Sequence, residues 1–294
     1  MECFRKKLES HPQVLVLAPT CNHMRTRDGI NRGAQRILDQ VESLISGSDQ
    51  LTKVSYICHS LGGLYARQVI YLAHTITDPK SKLSTLTPIN FITLSTPHVG
   101  SRHFSRVFHD VIVNTLVPIM FGKTGRQVLL LDVKSKNGDP PMLVHMVSDL
   151  HIELLSRFSY LATYANIAND LAVPYCTSAI RLKSIFKRKR VCQKSVGIAE
   201  EKIPPPLPPL LSGSIHPDNI AHDLPQRKPL ENYMLHVNDI HDKLDKLPWH
   251  RFGCYFARPF VAHINIINKT LLPFRFSKAS HPVVDHVLAG LELN

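Results

Sequence analysis

No stretch of this 294-residue sequence runs unbroken through the ~18 apolar residues that a membrane-crossing helix needs. The opening "MECFRKKLESHPQ" also lacks the apolar centre of a secretory signal, so nothing there argues for export. Six cysteines (Cys3, Cys21, Cys58, Cys176, Cys192 and Cys254) lie far apart and never form a C-x-x-C pair. That spacing argues against a zinc site or a disulfide framework and suits reduced thiols in the cytosol. Acidic residues are scarce: 23 Asp and Glu stand against 35 Lys and Arg, a formal net charge of +12. Such an excess favours an anionic partner, either nucleic acid or a lipid surface. Nucleic acid is the poorer fit, because no aromatic-studded basic repeat accompanies the main cationic run, "KSIFKRKR" at 183–190. No internal repeat is present.

With 44% hydrophobic residues the chain can bury a full core, and residues 1–294 are expected to form a single α/β domain. The run "VLVLA" at 14–18, ended by Pro19, reads as a buried parallel strand. In "DGINRGAQRILDQVESLI" (28–45) apolar residues recur at helical spacing, with Asp28 placed as the cap. A second strand is expected over 54–58, a helix over 64–74, and a third strand in "INFITLSTP", broken by Pro97. This alternation predicts a mostly parallel sheet flanked by helices. Residues 104–162 read as mainly helical with a break at 134–141, and "TYANIAND" (163–170) as a strand ending at a carboxylate. Residues 181–227 change character, from the basic run to "PPPLPPLLSG" and then polar turns, as in a disordered or lid-like excursion. The proline-rich piece also has the form of an SH3-type ligand. "RFGCYFARPF" (251–260) returns to strand character, and a closing helix begins near Pro282.

The segment "KVSYICHSLGGLYARQVI" (53–70) places Ser60 between a strand and a helix with two glycines following. Such a reversal is the nucleophile elbow G-x-S-x-G, here Cys58-His59-Ser60-Leu61-Gly62, with a thiol in the first glycine's tight position at some cost in strain. A serine capping the helix would read the same way. A serine hydroxyl needs a histidine to take its proton and a carboxylate to hold that histidine. Ser60, Asp170 and His263 come in the chain order Ser, Asp, His, each just after an expected strand. Asp132 and Asp149 are rival carboxylates, and His286 on the closing helix is the rival base. His59 is expected to point the other way across the elbow in a structural role, and Cys58, on the strand before the turn, is the poorer nucleophile.

The blocks "CHSLGGLYAR", "FITLSTPHVGSR", "MFGKTGRQVLLLD", "YANIANDLAVPYCTSAI", "FVAHINIINK" and "HPVVDHVL" together resemble the eukaryotic serine esterases. These are lipase-like α/β-hydrolases whose fungal members include a lipid-droplet phospholipase. The resemblance spans about 14–290 apart from the proline-rich excursion. It implies Ser60 as nucleophile, Asp170 as the acid, and His263 or His286 as the base, with the Leu61 N–H in the oxyanion hole. It implies no cofactor and no metal. Lipid carboxyl esters are the expected substrates, and a cytoplasmic protein touching anionic membranes or lipid droplets is the expected setting. Members of the family begin with a strand and a His-Gly loop that complete the oxyanion hole. This chain is expected to lack both, through a shortened gene model or as a weakly active or inactive regulatory relative.

Overall fold

The computed structural model describes residues 1–76, 81–101, 107–132, 140–184, 186, 196–200, 227–256, 262–267 and 281–291. The cations at 187–190 and the proline-rich piece lie outside the described residues. Among the described residues five strands, β1 (Lys53–His59), β2 (Thr87–Leu94), β3 (Tyr160–Asn166), β4 (Val196–Glu200) and β5 (Trp249–Phe256), form one sheet in the order β1-β2-β3-β5-β4. The first three and β5 run parallel, and β4 lies antiparallel on β5. Among the described residues the helices in chain order are α1 (Glu2–Leu8), α2 (Ile30–Ile45), α3 (Leu61–Thr75), α4 (Val107–Val128), α5 (Met142–His145), α6 (Asp149–Ser156), α7 (Tyr175–Ser178), α8 (Arg227–Asp245), α9 (Ala262–Asn265) and α10 (His281–Ala289). The expected α/β class, with a mostly parallel sheet flanked by helices, is the observed one. No described helix is long and apolar enough to cross a membrane.

The middle strands are rich in β-branched and aromatic residues and are buried on both faces, as parallel strands under two helical layers must be. Alternation along each strand sends neighbours to opposite cores. Phe91, Leu161 and Trp249 meet Leu64 and Ile70 of α3, Leu154 of α6 and Leu244 of α8 on one face. Ile92, Ala162, Tyr164 and Phe252 meet Phe4 of α1, Ala262 of α9 and Val283, Val284 and Val287 of α10 on the other. α2 packs outside α3, joining Ala34 and Leu38 to Val69 and Ala73.

Three expectations are corrected here. Residues 14–18 form no strand, and Leu15 is 51% exposed. Among the described strands β1 is the edge of the sheet and pairs only with β2, and residues 14–18 do not add to its open side. Leu17 packs instead against the α2–α3 cluster. Asp28 does not cap α2: the cap position is Gly29, at φ 105°, with no side-chain cap bond. Asp28 pairs with Arg36 at 2.5 Å, and that bond holds its carboxyl below the ordinary range. The helix start is satisfied from α4, where Thr124 Oγ1 accepts from Gly29 N–H (2.9 Å) and Gln127 Oε1 from Ile30 N–H (2.7 Å). Finally, the expected excursion at 181–227 is not wholly outside the core, because Val196–Glu200 is β4.

Two histidines are sealed into this framework. His98 (0% exposed) bonds Thr93 Oγ1 through Nε2 at 2.9 Å. His151 (2% exposed) stacks on Tyr71 and lies between Ser148 and Gln68. Burial, with the Arg67 charge adding to it, lowers the pKa of His151 to about 3 and that of His98 well below its ordinary 6.5. The unfolded chain therefore binds protons that the folded chain refuses as pH falls below ~6.5. Their contribution is complete above that value and is lost progressively toward about pH 3, the folded value of His151. Urea midpoints should be flat near neutrality and fall on acidification, with a shallower fall in His151→Gln; an acid limb of unchanged slope in that variant would count against this origin.

Candidate active site

β1 ends at His59, and α3 begins at Leu61, so a single residue carries the reversal. Ser60 sits at φ 53°, ψ −127°, a conformation that costs a non-glycine residue on the order of 1–3 kcal/mol and needs support from its surroundings. The support is specific. Ser60 N–H donates to the Leu94 carbonyl (2.9 Å), and the Ser60 carbonyl accepts from Gly63 N–H (3.1 Å) and Thr96 Oγ1 (2.9 Å). A Cβ at Gly63 would lie 2.4 Å from Thr96 Oγ1, whereas one at Gly62 would meet nothing within 4 Å. The glycine that the close approach demands is therefore Gly63, one position beyond the elbow pattern. The expected strain at Cys58 is absent: it lies within β1, outside the positive-φ positions, with its side chain against the apolar core.

His263, on α9 after β5, places Nε2 2.9 Å from Ser60 Oγ and Nδ1 3.0 Å from Asp170 Oδ2. Asp170 lies four residues past β3, with its side chain 1% exposed. Its Oδ1 accepts from the Ala172 and Val173 N–H groups (3.0 and 2.9 Å), and its Oδ2 also accepts from Asn166 Nδ2 (2.8 Å). Burial pushes the Asp170 carboxyl upward. The bond to His263, that ring's charge, Asn166 and the Val173 N–H outweigh burial and leave it below its ordinary 3.8. An ionised carboxylate accepts only, so the Nδ1 of His263 carries the proton and its Nε2 is free to accept from the serine hydroxyl.

Two neighbours complete the arrangement, neither of them singled out in the sequence for this purpose. His59 does not point the other way across the elbow as expected: it turns toward the His263 segment, and its Nε2–H donates to the His263 carbonyl at 2.7 Å. Burial, followed by the His263 charge, lowers the His59 pKa to about 3, so this donor stays neutral. Asn166, at 1% exposure, donates to both Asp170 and Ser95 Oγ (2.8 Å each), fixing the carboxylate to the end of β2. The only advance signals were their positions, one beside the serine and one four residues before the carboxylate.

The rival residues stand elsewhere. Asp132 Oδ2 accepts from Met142 N–H at 3.0 Å, and Asp149 is exposed in the first turn of α6. His286 Nδ1 bonds Tyr164 Oη at 2.8 Å, and its ring packs edge-on against Phe252. Burial pushes the Cys58 thiol up to about 12 and keeps it protonated. Leu61 opens α3, where the first N–H groups have no partner within the helix.

The family described as "Putative serine esterase (DUF676)" matches residues 1–181, a span that includes Ser60 and Asp170 and ends before His263. The chain is 30% identical over 202 residues to "Putative lipase ROG1" of Saccharomyces cerevisiae, covering 66% of this chain and 28% of that protein. It is 32% identical over 132 residues to "Putative lipase YDL109C" of the same yeast, with 45% and 19% covered. Against "Putative lipase C4A8.10" of Schizosaccharomyces pombe it is 29% identical over 198 residues, with 64% and 25% covered. The chain thus spans about a quarter of the length of the curated relatives it matches. No solved structure matches.

The glycines and His59 separate by substitution. Gly62→Ala should be neutral or slightly stabilising because it adds a helix former in open space. Gly63→Ala should lose ~1–3 kcal/mol by overpacking against Thr96; equal urea midpoints for the two variants would remove Gly63 from its role. His59→Phe should fold yet lower kcat toward a soluble ester, and His59→Gln, which keeps a donor, should recover part of the loss. Equal rates in the two variants would show that the bond to the His263 carbonyl is immaterial.

Proposed function

As the chain belongs to the "Putative serine esterase (DUF676)" family, we propose that it hydrolyses carboxyl esters of lipids through a Ser60–His263–Asp170 triad. The observation that carries this reading is the unbroken chain of hydrogen bonds from Ser60 Oγ through both ring nitrogens of His263 to a buried carboxylate, at 2.9 and 3.0 Å. His263 Nε2 takes the hydroxyl proton as Ser60 Oγ attacks the ester carbonyl carbon. The tetrahedral oxyanion lies at the start of α3, where the Leu61 N–H and the positive end of the helix oppose its charge. Collapse expels the alcohol, which leaves with the proton from Nε2, and the acyl group stays on Ser60. Water then attacks the acyl-enzyme, giving its proton to the same nitrogen, and the fatty acid departs as Ser60 regains its hydrogen.

Asp170 acts in both halves without itself being protonated. Held by two backbone N–H groups and Asn166, it keeps the ring in the tautomer with Nε2 free and stabilises the imidazolium as it forms. The basic balance of the chain supports a substrate met at an anionic membrane or lipid-droplet surface, and the widely spaced cysteines fit a cytoplasmic setting. No cofactor or metal takes part in the proposed cycle.

A fluorophosphonate probe should label the wild-type chain, and Ser60→Ala should abolish the label. Asp170→Asn should fold normally and lower kcat for a short p-nitrophenyl ester by about 10⁴-fold. Labelling that persists in Ser60→Ala, or wild-type turnover in Asp170→Asn, would refute the assignment of that residue.

A further inference from the structure

Exposed large apolar side chains gather where two segments meet. Ile119 (61% exposed), Met120 (62%) and Phe121 (39%) are consecutive in α4. Consecutive helical residues point ~100° apart, so three exposed in a row belong to a turn that projects from the body of the protein. The turn is bounded by Pro118 and by Gly122, where the helix breaks at φ 53°. The loop at 19–29 is fastened to it: Arg27 Nη2 donates to the Ile119 carbonyl, and Lys123 N–H to the Arg27 carbonyl, both at 2.9 Å. That loop carries Met24, which is 87% exposed.

Charge frames the same place. Residues 19–29 and 118–128 hold Arg25, Arg27, Lys123 and Arg126, all exposed. Their lone carboxylate, Asp28, is already paired with Arg36. The C-terminal end of α4 is joined to the Asp170 loop. Ser101 N–H donates to the Val128 carbonyl (2.9 Å), and Ser101 Oγ to the Ala172 carbonyl (2.6 Å).

We infer that the Gly122 kink of α4, together with the loop at 19–29, docks the protein on an anionic lipid bilayer. The apolar turn enters the boundary between head groups and acyl chains, and the cations lie among the phosphates and carboxylates of the lipid. A second copy of the chain is disfavoured as occupant, because pairing this face with itself would bring the like-charged collars together. The inference extends the lipid-ester reading by saying where such a substrate is met, but its test is read without turnover.

The experiment is flotation of the full chain with phosphatidylcholine vesicles, with and without phosphatidylserine. The wild type should float with the phosphatidylserine vesicles and progressively less as sodium chloride is raised. Lys123→Ser/Arg126→Ser should bind about 25-fold more weakly, roughly fivefold for each cation. Ile119→Ser/Met120→Ser/Phe121→Ser should also lose binding, with the melting temperature of each variant near that of the wild type. Undiminished flotation of either variant, or equal flotation on pure phosphatidylcholine, overturns the proposal. So does a concentration-dependent dimer in analytical ultracentrifugation that the triple variant abolishes, since it gives the face to a second copy. Hydrolysis of a soluble p-nitrophenyl ester, expected to be unchanged in both variants, separates the two readings. A protein that hydrolyses the ester and does not float defeats docking alone. One that floats without hydrolysing it keeps docking and defeats the esterase reading.

Discussion

A single residue in a costly backbone conformation, Ser60 at φ 53° and ψ −127°, organises this molecule. With only that residue between β1 and α3, the helix must start hard against the loop that follows β2. The contact is tight enough that the helix tolerates no side chain at Gly63 beside Thr96. Thr96 in turn bonds the Ser60 carbonyl, so the neighbour that forbids the Cβ also holds the strained turn. Strain of this kind persists only where packing over-determines it. Here β2, α3 and the turn share that task, which projects the hydroxyl away from both elements and toward the His263 segment.

From that turn outward, the site is a set of fixed hydrogen bonds among buried groups. Asp170 accepts from two backbone N–H groups, an asparagine and the histidine ring, so its orientation is set on every side. His263 is held from two directions, at Nδ1 by Asp170 and at its carbonyl by the neutral ring of His59. The elbow thus contributes both the hydroxyl and a clamp on the residue facing it. Such prearrangement lets a protein supply electrostatic stabilisation without reorganising as a reaction proceeds.

The parts of this arrangement that were legible in the sequence are those with a local cause. A β-branched run followed at once by small residues marks the β1–α3 reversal, and strand ends at Asp170 and His263 leave a similar trace, so the three side chains singled out are the three brought together. Features that depend on distant partners left none. Gly63 rather than Gly62 is the constrained glycine because of Thr96, which follows a different strand. The role of His59 rests on a carbonyl 204 positions away. The apolar run at 14–18 could not announce that it forms no strand, since burying Leu17 against helices asks for the same residue types as a strand does. β4 was hidden by its basic and proline-rich surroundings, where composition outweighed a short pattern.

The order β1-β2-β3-β5-β4 also bears on how the chain comes to be folded. β4 precedes β5 in the chain yet lies outside it, and among the described strands β5 is its only neighbour. It must therefore wait, unpaired, until β5 has been made. His263 follows β5, so it too comes into place only with that late, non-local pairing, which is the slow kind to form. During vectorial synthesis Ser60 and Asp170 emerge well before His263, which joins them. A nascent chain thus carries Ser60 and Asp170 without the histidine that links them, and the chain of hydrogen bonds first closes once His263 is in place.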